Sequence, residues 1–139
     1  MVQIIAGKKG KGKTKHLLDK ANAAIKESTG SIVYLDKSSK HMYELNNKIR
    51  LINVANYPVN SCEAFIGFIC GIVSQDHDLE QMYLDSFLKL AHLEGKDIED
   101  VIKTLEQIGE MYQVTFILSV SEDAEFLPAN AQADVIISL

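Results

Sequence analysis

The sequence predicts one α/β domain spanning residues 1–139, with a mainly parallel, twisted sheet of about six strands and helices on both faces. Short apolar segments alternate with longer segments of helical periodicity, which is typical of a parallel sheet. The composition, 47% hydrophobic and 24% charged residues, is that of an ordinary globular domain. A length of 139 residues suffices to bury one core, and no repeat or linker divides the chain.

The chain opens with an apolar strand at residues 2–6, a loop at residues 7–14 and a helix-like run at residues 17–25. The loop reads Gly7-Lys8-Lys9-Gly10-Lys11-Gly12-Lys13-Thr14, a complete G-x-x-x-x-G-K-[ST] phosphate-binding motif. Glycines allow backbone N–H groups to converge on an anion, and the N-terminus of the following helix adds partial positive charge. The motif and its strand–loop–helix context therefore predict that the loop binds nucleotide phosphates.

Two residues of this loop have specific expected roles. Lys13 is expected to reach the β- and γ-phosphates, and the Thr14 hydroxyl to take one coordination position on Mg²⁺. Four more side chains, each of which could equally be solvated, place positive charge around the loop: Lys8, Lys9, Lys11 and Lys15. Because the whole chain has a net charge of −5, this local charge favours a small polyanion over a long nucleic acid.

The next predicted elements are a strand at residues 31–36, a short helix near residues 40–47 and a strand at residues 50–55. Asp36 ends the first of these strands, at the carboxyl edge of the sheet where ligands gather. We expect it to polarise a water molecule against the γ-phosphate. A second interpretation, equally open, is that Asp36 is the cap of a helix in the segment after Lys37.

A helix capped by Asn60, with Glu63 completing a capping box, is predicted before a strand at residues 81–85. Asp85 ends that strand, and an apolar strand followed by Asp is the pattern of a Walker B motif. Asp85 is therefore expected to hold Mg²⁺ beside Thr14, with an ordinary turn residue as the alternative.

The same helix, at residues 60–74, is apolar nearly all round, and Gly67 and Gly71 permit close approach of another backbone. We expect it to be buried between the sheet and a neighbouring helix, with a subunit interface as the alternative. Its cysteines, Cys62 and Cys70, would lie about 12 Å apart, too far for a disulfide. The chain is therefore expected to be reduced and cytoplasmic.

An amphipathic helix beginning near Asp97 is predicted before the last two strands, at residues 114–120 and 134–139. Its apolar face consists of Ile98, Val101, Ile102, Leu105, Ile108 and Tyr112. Ser119 or Ser121, at the end of the fifth strand, is a candidate contact for the γ-phosphate, with a solvent-facing hydroxyl as the alternative.

Several functions and sites are disfavoured. The cluster at residues 76–80, rich in Asp, His and Glu, precedes the fourth strand and is predicted to be a solvated turn at the edge away from the loop. His16 is interpreted as a plain helix residue. The longest near-apolar run, residues 64–73, is too short to cross a bilayer. The acidic net charge argues against binding of duplex nucleic acid.

In the order and spacing of these segments, the chain resembles the P-loop NTPase superfamily, and most closely a minimal RecA/KaiC-type ATPase core. The resemblance depends on the loop at residues 7–14, on Tyr34-Leu35-Asp36 and on Tyr83-Leu84-Asp85-Ser86. It implies a RecA-like fold that binds ATP with Mg²⁺, with Lys13 and Asp36 as catalytic residues. The family usually has Glu at the catalytic position, and the shorter Asp36 puts the rate of turnover in question.

The chain also resembles the deviant Walker A, MinD-like ATPases. In those proteins the second loop residue is a lysine that reaches the partner's nucleotide, and an Asp at the end of strand two acts in hydrolysis. Lys8 and Asp36 match these features. However, Lys9 stands where Gly is usual and no D-x-x-x-G follows Asp85, so the RecA-like resemblance is preferred.

The implied function is that of an ATP-binding, Mg²⁺-dependent ATPase, slow alone and coupled to an unidentified protein partner or to self-association. The alternative is an ATP-dependent binding or regulatory module that does not hydrolyse ATP. A small-molecule kinase fits less well, because the single arginine, Arg50, cannot form an arginine-rich lid. Arg50 also begins a strand, at the edge away from the loop, so it cannot serve as an arginine finger within the chain.

Overall fold

Six parallel strands form one sheet in the computed structural model, which describes all residues 1–139. The strands are β1 (Val2–Ala6), β2 (Ser31–Asp36), β3 (Arg50–Asn53), β4 (Leu79–Leu84), β5 (Thr115–Val120) and β6 (Val135–Ser138). Their order across the sheet is β3-β2-β4-β5-β1-β6. The predicted α/β class, the number of strands and their parallel arrangement are confirmed.

Five helices and two 3-10 turns connect the strands. The helices are α1 (Lys13–Glu27), α2 (Cys62–Gln75), α3 (Phe87–Leu90), α4 (Glu99–Tyr112) and α5 (Ala129–Gln132), and the turns are Val54–Asn56 and Ala124–Phe126. None of the helices has the length and hydrophobicity needed to cross a bilayer. The sequence does not predict α3, α5 or the two turns, because elements of three or four residues carry no periodicity.

The strand order decides which helices share a face of the sheet. From β1 the chain steps towards β2 and β3, and after β3 it steps back across the sheet. Because parallel crossovers are right-handed, α1 and residues 37–49 lie on one face and α2 to α5 on the other. The buried residues divide accordingly: 25 form the core on the α2–α5 face, and 11 form the core under α1. Helices therefore cover both faces, as predicted.

Residues 37–49 form a series of turns, and the short helix predicted near residues 40–47 is wrong. In this segment a polar side chain accepts a hydrogen bond from a backbone N–H that would otherwise donate to a carbonyl within a helix. Asn46 Oδ1 accepts a hydrogen bond from the Lys48 N–H at 2.9 Å. The segment is also too short to offset the cost of nucleating an isolated helix.

The turns are attached to α1 by one side chain. The Asn22 amide donates to the Glu44 carbonyl oxygen at 2.8 Å, and its Oδ1 accepts from the Asn46 N–H at 2.8 Å. Leu45 and Ile49 insert into the core under α1. These contacts fix residues 37–49 against the middle of α1.

The start of α2 differs from the prediction. Ser61 rather than Asn60 caps the helix, because the Ser61 Oγ accepts a hydrogen bond from the Ala64 N–H at 3.0 Å. Glu63 is then the second residue of the helix instead of the third. The predicted capping box is therefore wrong.

Only one side of α2 is buried. Its contact with the sheet is made by Phe65, Ile69 and Val73. Gly67 and Gly71 are exposed, and apart from their chain neighbours and the nearby backbone of α2 no atom lies within 4 Å of the position that a Cβ would take at either residue. The predicted burial thus applies to one face of the helix. Both cysteines are free, as their spacing predicts.

Two strand ends affect the site. β3 ends at Asn53, two residues before the predicted end, because Asn53 Oδ1 accepts from the Ala55 N–H and begins a 3-10 turn. β4 ends at Leu84, and the Asp85 N–H still donates to the Leu35 carbonyl oxygen at 3.0 Å. This bond holds Asp85 at the end of the ladder between β4 and β2.

The amphipathic helix before β5 is close to its prediction. α4 begins at Glu99, and Asp97 Oδ1 accepts a hydrogen bond from the Glu99 N–H. Five of the six residues predicted for its apolar face are buried or half-buried, whereas Tyr112 is 56% exposed. Tyr112 is the last residue of α4.

Candidate functional site

The carboxyl ends of β2, β4 and β5 present polar side chains on the face covered by α1. Alternate residues of a strand share a face, and Tyr34, Tyr83 and Ile117 belong to the core under α1. The residues two positions further along continue the same rows: Asp36, Asp85 and Ser119. Their surfaces are 2%, 2% and 1% exposed, respectively. Strand alternation thus brings together two carboxylates and a hydroxyl from distant parts of the sequence.

Asp85 is the centre of a buried hydrogen-bond network. Its Oδ1 accepts from the Thr14 hydroxyl at 3.1 Å and from the Ser119 hydroxyl at 2.9 Å. Its Oδ2 accepts from the Tyr34 hydroxyl at 2.9 Å. Burial and the Asp85 carboxylate both raise the pKa of Tyr34, which therefore stays a neutral donor. The predicted neighbours Thr14 and Asp85 are in direct contact.

The Ser119 hydroxyl also organises the chain after β4. It accepts a hydrogen bond from the Ser86 N–H at 2.8 Å. Ser86 has φ +57°, a left-handed conformation that non-glycine residues rarely adopt. The contact of Ser119 in the structure is thus with Asp85 and Ser86, and Ser121 at the same edge is exposed.

The loop at residues 7–14 depends on glycine. Gly10 and Gly12 both have φ +87°, which side-chain-bearing residues adopt only under strain. Lys13 is 8% exposed, and its ammonium donates to the Lys8 carbonyl oxygen at 3.0 Å. Burial lowers the pKa of Lys13, and the Asp85 carboxylate opposes that shift.

The backbone N–H groups of residues 8–15 donate no hydrogen bond to any acceptor within the protein. In residues 13–15 this is normal, because the first turn of an α-helix has no internal acceptors. Residues 8–12 precede the helix and add further free donors. Consecutive free N–H groups at a helix N-terminus are an arrangement suited to an anion.

A cavity of about 570 Å³ lies between this loop, the ends of β4 and β5 and the segment that carries α3. Predicted residues of the loop that line it are Lys8, Lys9, Gly12, Lys13 and Thr14. From the strand ends it is lined by Asp85, Ser119 and Ser121. The volume lies in the range of small-molecule sites.

Two lysines that sequence reasoning missed also line the cavity. Lys37 follows β2, and Lys89 lies on α3. Burial lowers the pKa of Lys37, and the adjacent Lys89 ammonium lowers it further. Lys37 could have been found from its place directly after Asp36, whereas Lys89 is on a helix too short to predict. In all, five lysines and three carboxylates surround the cavity.

Asp36 is the most unusual carboxylate of the site. Its Oδ1 accepts from the Lys37 N–H at 2.7 Å, whereas its Oδ2 is buried and has no hydrogen-bond partner. Burial raises the pKa of Asp36, and the neighbouring Asp85 raises it further. The alternative interpretation of Asp36 as a helix cap is wrong, because residues 37–49 form no helix and this bond reaches only the next residue.

A histidine of the turns lies beside the two carboxylates. Asp36, His41 and Asp85 each offer one potential ligand atom, and these three atoms lie within 4.8 Å of one another. His41 Nδ1 is 3.2 Å from Glu44 Oε1. Sequence reasoning missed His41 because it expected a helix at residues 40–47.

Four predicted loop residues lie outside the cavity: Gly7, Gly10, Lys11 and Lys15. The Gly7 N–H donates to the Val120 carbonyl oxygen and fixes the start of the loop to β5. The Lys15 ammonium pairs with Asp19 at 3.2 Å on the exposed side of α1. The Lys8 ammonium lies 3.5 Å from Asp123 Oδ2 but is 65% exposed, so this pair contributes little to stability.

The opposite edge of the sheet has a structural role. Glu80 Oε1 accepts hydrogen bonds from the Ser28 hydroxyl and the Gly30 N–H, which joins the end of α1 to β4. Arg50 begins β3 at this edge and is exposed. His16 is exposed and does not line the cavity.

Comparison with known proteins assigns no relative. No protein-family model, curated protein or solved structure matches the chain. The groups that indicate a function are therefore the loop, Asp85 with its hydroxyl donors, and Asp36.

Proposed function

We propose that the chain binds ATP with Mg²⁺ in the cavity beside the loop at residues 7–14, as a minimal P-loop NTPase of the RecA/KaiC type. The observation that carries the proposal is the meeting of the loop at residues 7–14 with the end of β4 at one edge of the sheet. Free N–H groups of residues 8–15, the Lys13 ammonium and the Thr14–Asp85 pair all lie there. Each is a group that a nucleotide triphosphate and its cation need.

The phosphates would be held by hydrogen bonds and by charge. The free N–H groups are oriented donors, and the lysines supply positive charge to a chain of net charge −5. Burial disfavours the charged form of Lys13, and an anion beside it would offset that cost. The same anion would stabilise the charged forms of Lys37 and Lys89, which both line the cavity.

The residues present fit Mg²⁺. Thr14 and Asp85 offer a hydroxyl and a carboxylate oxygen, the donors that Mg²⁺ prefers. When bound, the ion would neutralise charge on the phosphate oxygens. The Thr14 hydroxyl donates a hydrogen bond to Asp85, so the lone pairs of the Thr14 oxygen remain available for coordination.

Hydrolysis would depend on Asp36. Its unpartnered Oδ2 could accept a proton from water, and burial raises its pKa towards that of a useful base. However, Asp36 is 2% exposed and does not line the cavity, so water reaches it only if residues 37–49 move. We therefore expect slow turnover, coupled to a protein partner or to self-association.

The second candidate function is ATP-dependent binding without hydrolysis. The burial of Asp36 favours it, because a base that water cannot reach has no role in turnover. In both functions the nucleotide occupies the same cavity. They differ only in whether phosphate is released.

Calorimetric titration with ATP and Mg²⁺ tests the binding site. Lys13→Met should weaken ATP binding by about 30- to 100-fold, because it removes a charge-assisted contact to phosphate. Lys15→Met is the matched control, since its ammonium pairs with Asp19 outside the cavity, and it should leave the affinity within about twofold. Equal affinities for the two variants, or no heat at millimolar ATP, would contradict the proposal.

Phosphate release separates the two functions. Asp36→Asn should abolish release by an ATPase while leaving ATP binding in place, because it keeps the shape but removes the base. Asp78→Asn, exposed at the opposite edge, is the control. If wild type and Asp36→Asn release phosphate at the same background rate, the binding module is the better description.

A further inference from the structure

The carboxylate of Asp36 contains an oxygen that the fold leaves without a partner. The residue is 2% exposed, and no donor lies within hydrogen-bond distance of its Oδ2. Buried carboxylate oxygens are normally hydrogen-bonded or bound to a metal ion. An unpaired one therefore indicates that a cationic or donor group is needed at this point.

Two other ligand groups lie near the Asp36 carboxylate and come from different elements. Asp85 follows β4, and His41 lies in the turns at residues 37–49. One potential ligand atom of each lies within 4.8 Å of the others and of Asp36. Two ligands of one ion, with bonds of about 2.1 Å, are at most about 4.2 Å apart. To share one coordination sphere, a pair of ligands at the 4.8 Å limit would have to approach by about 0.6 Å if they lie on opposite sides of the ion, and by roughly 1.2 Å or more if they are adjacent.

The two carboxylates have the lone pairs that a cation requires. A carboxylate has about four acceptor positions. Asp85 uses three of them, for the hydroxyls of Thr14, Ser119 and Tyr34. Asp36 uses one, for the Lys37 N–H, and its Oδ2 has none in use. Both residues can therefore coordinate without breaking a bond that they already make.

His41 has a carboxylate partner of its own. Its Nδ1 is 3.2 Å from Glu44 Oε1, and its side chain is only 17% exposed. A hydrogen bond from Nδ1–H to a carboxylate leaves Nε2 with a free lone pair. This pairing of carboxylate and histidine commonly orients metal-binding histidines.

We propose that Asp36, His41 and Asp85 form a divalent-cation site that prefers first-row transition ions, with Mn²⁺ as the probe, over Mg²⁺. Mg²⁺ binds oxygen ligands almost exclusively, whereas an imidazole nitrogen suits transition ions. This cation site shares Asp85 with the proposed Mg²⁺ position beside Thr14, but it is a second site, because Asp36 and His41 do not line the nucleotide cavity. The cation is nevertheless expected to bind in the absence of nucleotide, because all three ligands belong to the protein.

Titration with Mn²⁺ in the absence of nucleotide, followed by the electron paramagnetic resonance signal of the free ion, tests the site. Wild type should bind one Mn²⁺, and His41→Ala should bind it about 10- to 100-fold more weakly. His77→Ala is the matched control, because His77 is exposed among acidic residues at the opposite edge. Competition by Mg²⁺ should require at least about a tenfold higher concentration than Mn²⁺.

A second variant distinguishes ligation from a general effect on folding. Glu44→Gln keeps His41 but weakens its partner, and should reduce Mn²⁺ affinity by a smaller factor than His41→Ala. Thermal unfolding of each protein is then measured with and without Mn²⁺. The ion should stabilise wild type and His77→Ala fully, and the other two variants less. Equal Mn²⁺ affinity in wild type and His41→Ala would overturn the proposal, as would equal affinity of wild type for Mg²⁺ and Mn²⁺.

The outcome is separable from that of the ATP titration. Loss of ATP binding with intact Mn²⁺ binding would remove the nucleotide function and leave the cation site. ATP binding without nucleotide-independent Mn²⁺ binding would do the reverse.

Discussion

A single carboxylate, Asp85, receives hydroxyl donors from three separate elements. Thr14 begins α1, Tyr34 is on β2 and Ser119 is on β5. Hydrogen bonds to a buried charge contribute more than neutral ones, and the loss of one leaves the charge underpaired. The position of Asp85 is therefore fixed by the fold before any ligand binds.

Tyr34→Phe tests the energetic importance of this network. The substitution removes the only donor to Asp85 Oδ2 and should lower the free energy of unfolding by about 2 kcal/mol. Tyr83→Phe is the matched control: Tyr83 is equally buried and stacks on Tyr34, but its hydroxyl contacts the neutral Gln81 amide. Its loss should cost about 1 kcal/mol. Urea unfolding measures both, and a larger loss for Tyr83→Phe would contradict the role given to Asp85.

At the scale of the residue, sequence reasoning finds what is local. The glycines and lysines of the loop are contiguous, and Asp36 and Asp85 each end an apolar strand, so their edge of the sheet follows from the strand direction. Tyr34 and His41 could not be found in this way. Tyr34 reads as an ordinary apolar strand residue, and His41 is placed by turns that have no periodic signal.

Asp134, which directly precedes the last strand, lies near the acidic Glu106 of α4. The Asp134 carbonyl oxygen accepts from the Ile4 N–H and fixes the start of β6 to β1. Burial raises the pKa of Asp134 to about 7, and a hydrogen bond and the charge of Glu106 contribute to the same shift. The folded chain thus retains a proton at a pH where the unfolded chain has lost it.

The stability of the fold should therefore fall as the pH rises from about 4 to about 7 through this group. A folded-state pKa above the unfolded value contributes stability that is complete at low pH and is lost as pH passes the folded pKa. Asp134→Asn should flatten that part of the pH profile and raise stability above pH 7. Asp78→Asn, whose side chain is exposed, should not. Thermal unfolding between pH 4 and pH 8 measures the difference, and parallel profiles for wild type and Asp134→Asn would refute it.

At the scale of the element, periodicity predicts the long segments and fails for the short ones. All six strands and the helices α1, α2 and α4 have enough residues for a period to be visible. α3 and α5 have four residues each, and residues 37–49 are organised by contacts of Asn22 with a distant segment. Tertiary contacts of this kind leave no trace in the local sequence.

At the scale of the whole molecule, positive charge is concentrated around one cavity although the net charge of the chain is negative. Five lysines from the loop, from the end of β2 and from α3 line one cavity of an acidic chain. Burial lowers the pKa of Lys37, and repulsion by the like charge of Lys89 lowers it further. An anion in the cavity would relieve that repulsion.

If ATP occupies the cavity, Lys89→Met should weaken its binding by about fivefold, corresponding to about 1 kcal/mol for one charge near the protein surface. The effect should shrink at high salt, because an exposed charge is screened. Lys26→Met, in the last turn of α1 and at the far edge of the sheet, is the control and should have no effect. Titration at two ionic strengths measures both, and a salt-independent effect would argue for a packing role of Lys89.

The hydrogen bonds of Asn22 connect the helix that follows the phosphate-binding loop to the turns that carry His41. Asn22 lies midway along the helix whose first turn carries Lys13 and Thr14, and it holds the backbone of residues 44 and 46, close to His41. A shift of that helix when an anion binds would therefore carry the imidazole with it. The occupancies of the anion and the cation are then thermodynamically linked, and each should change the affinity for the other by the same factor.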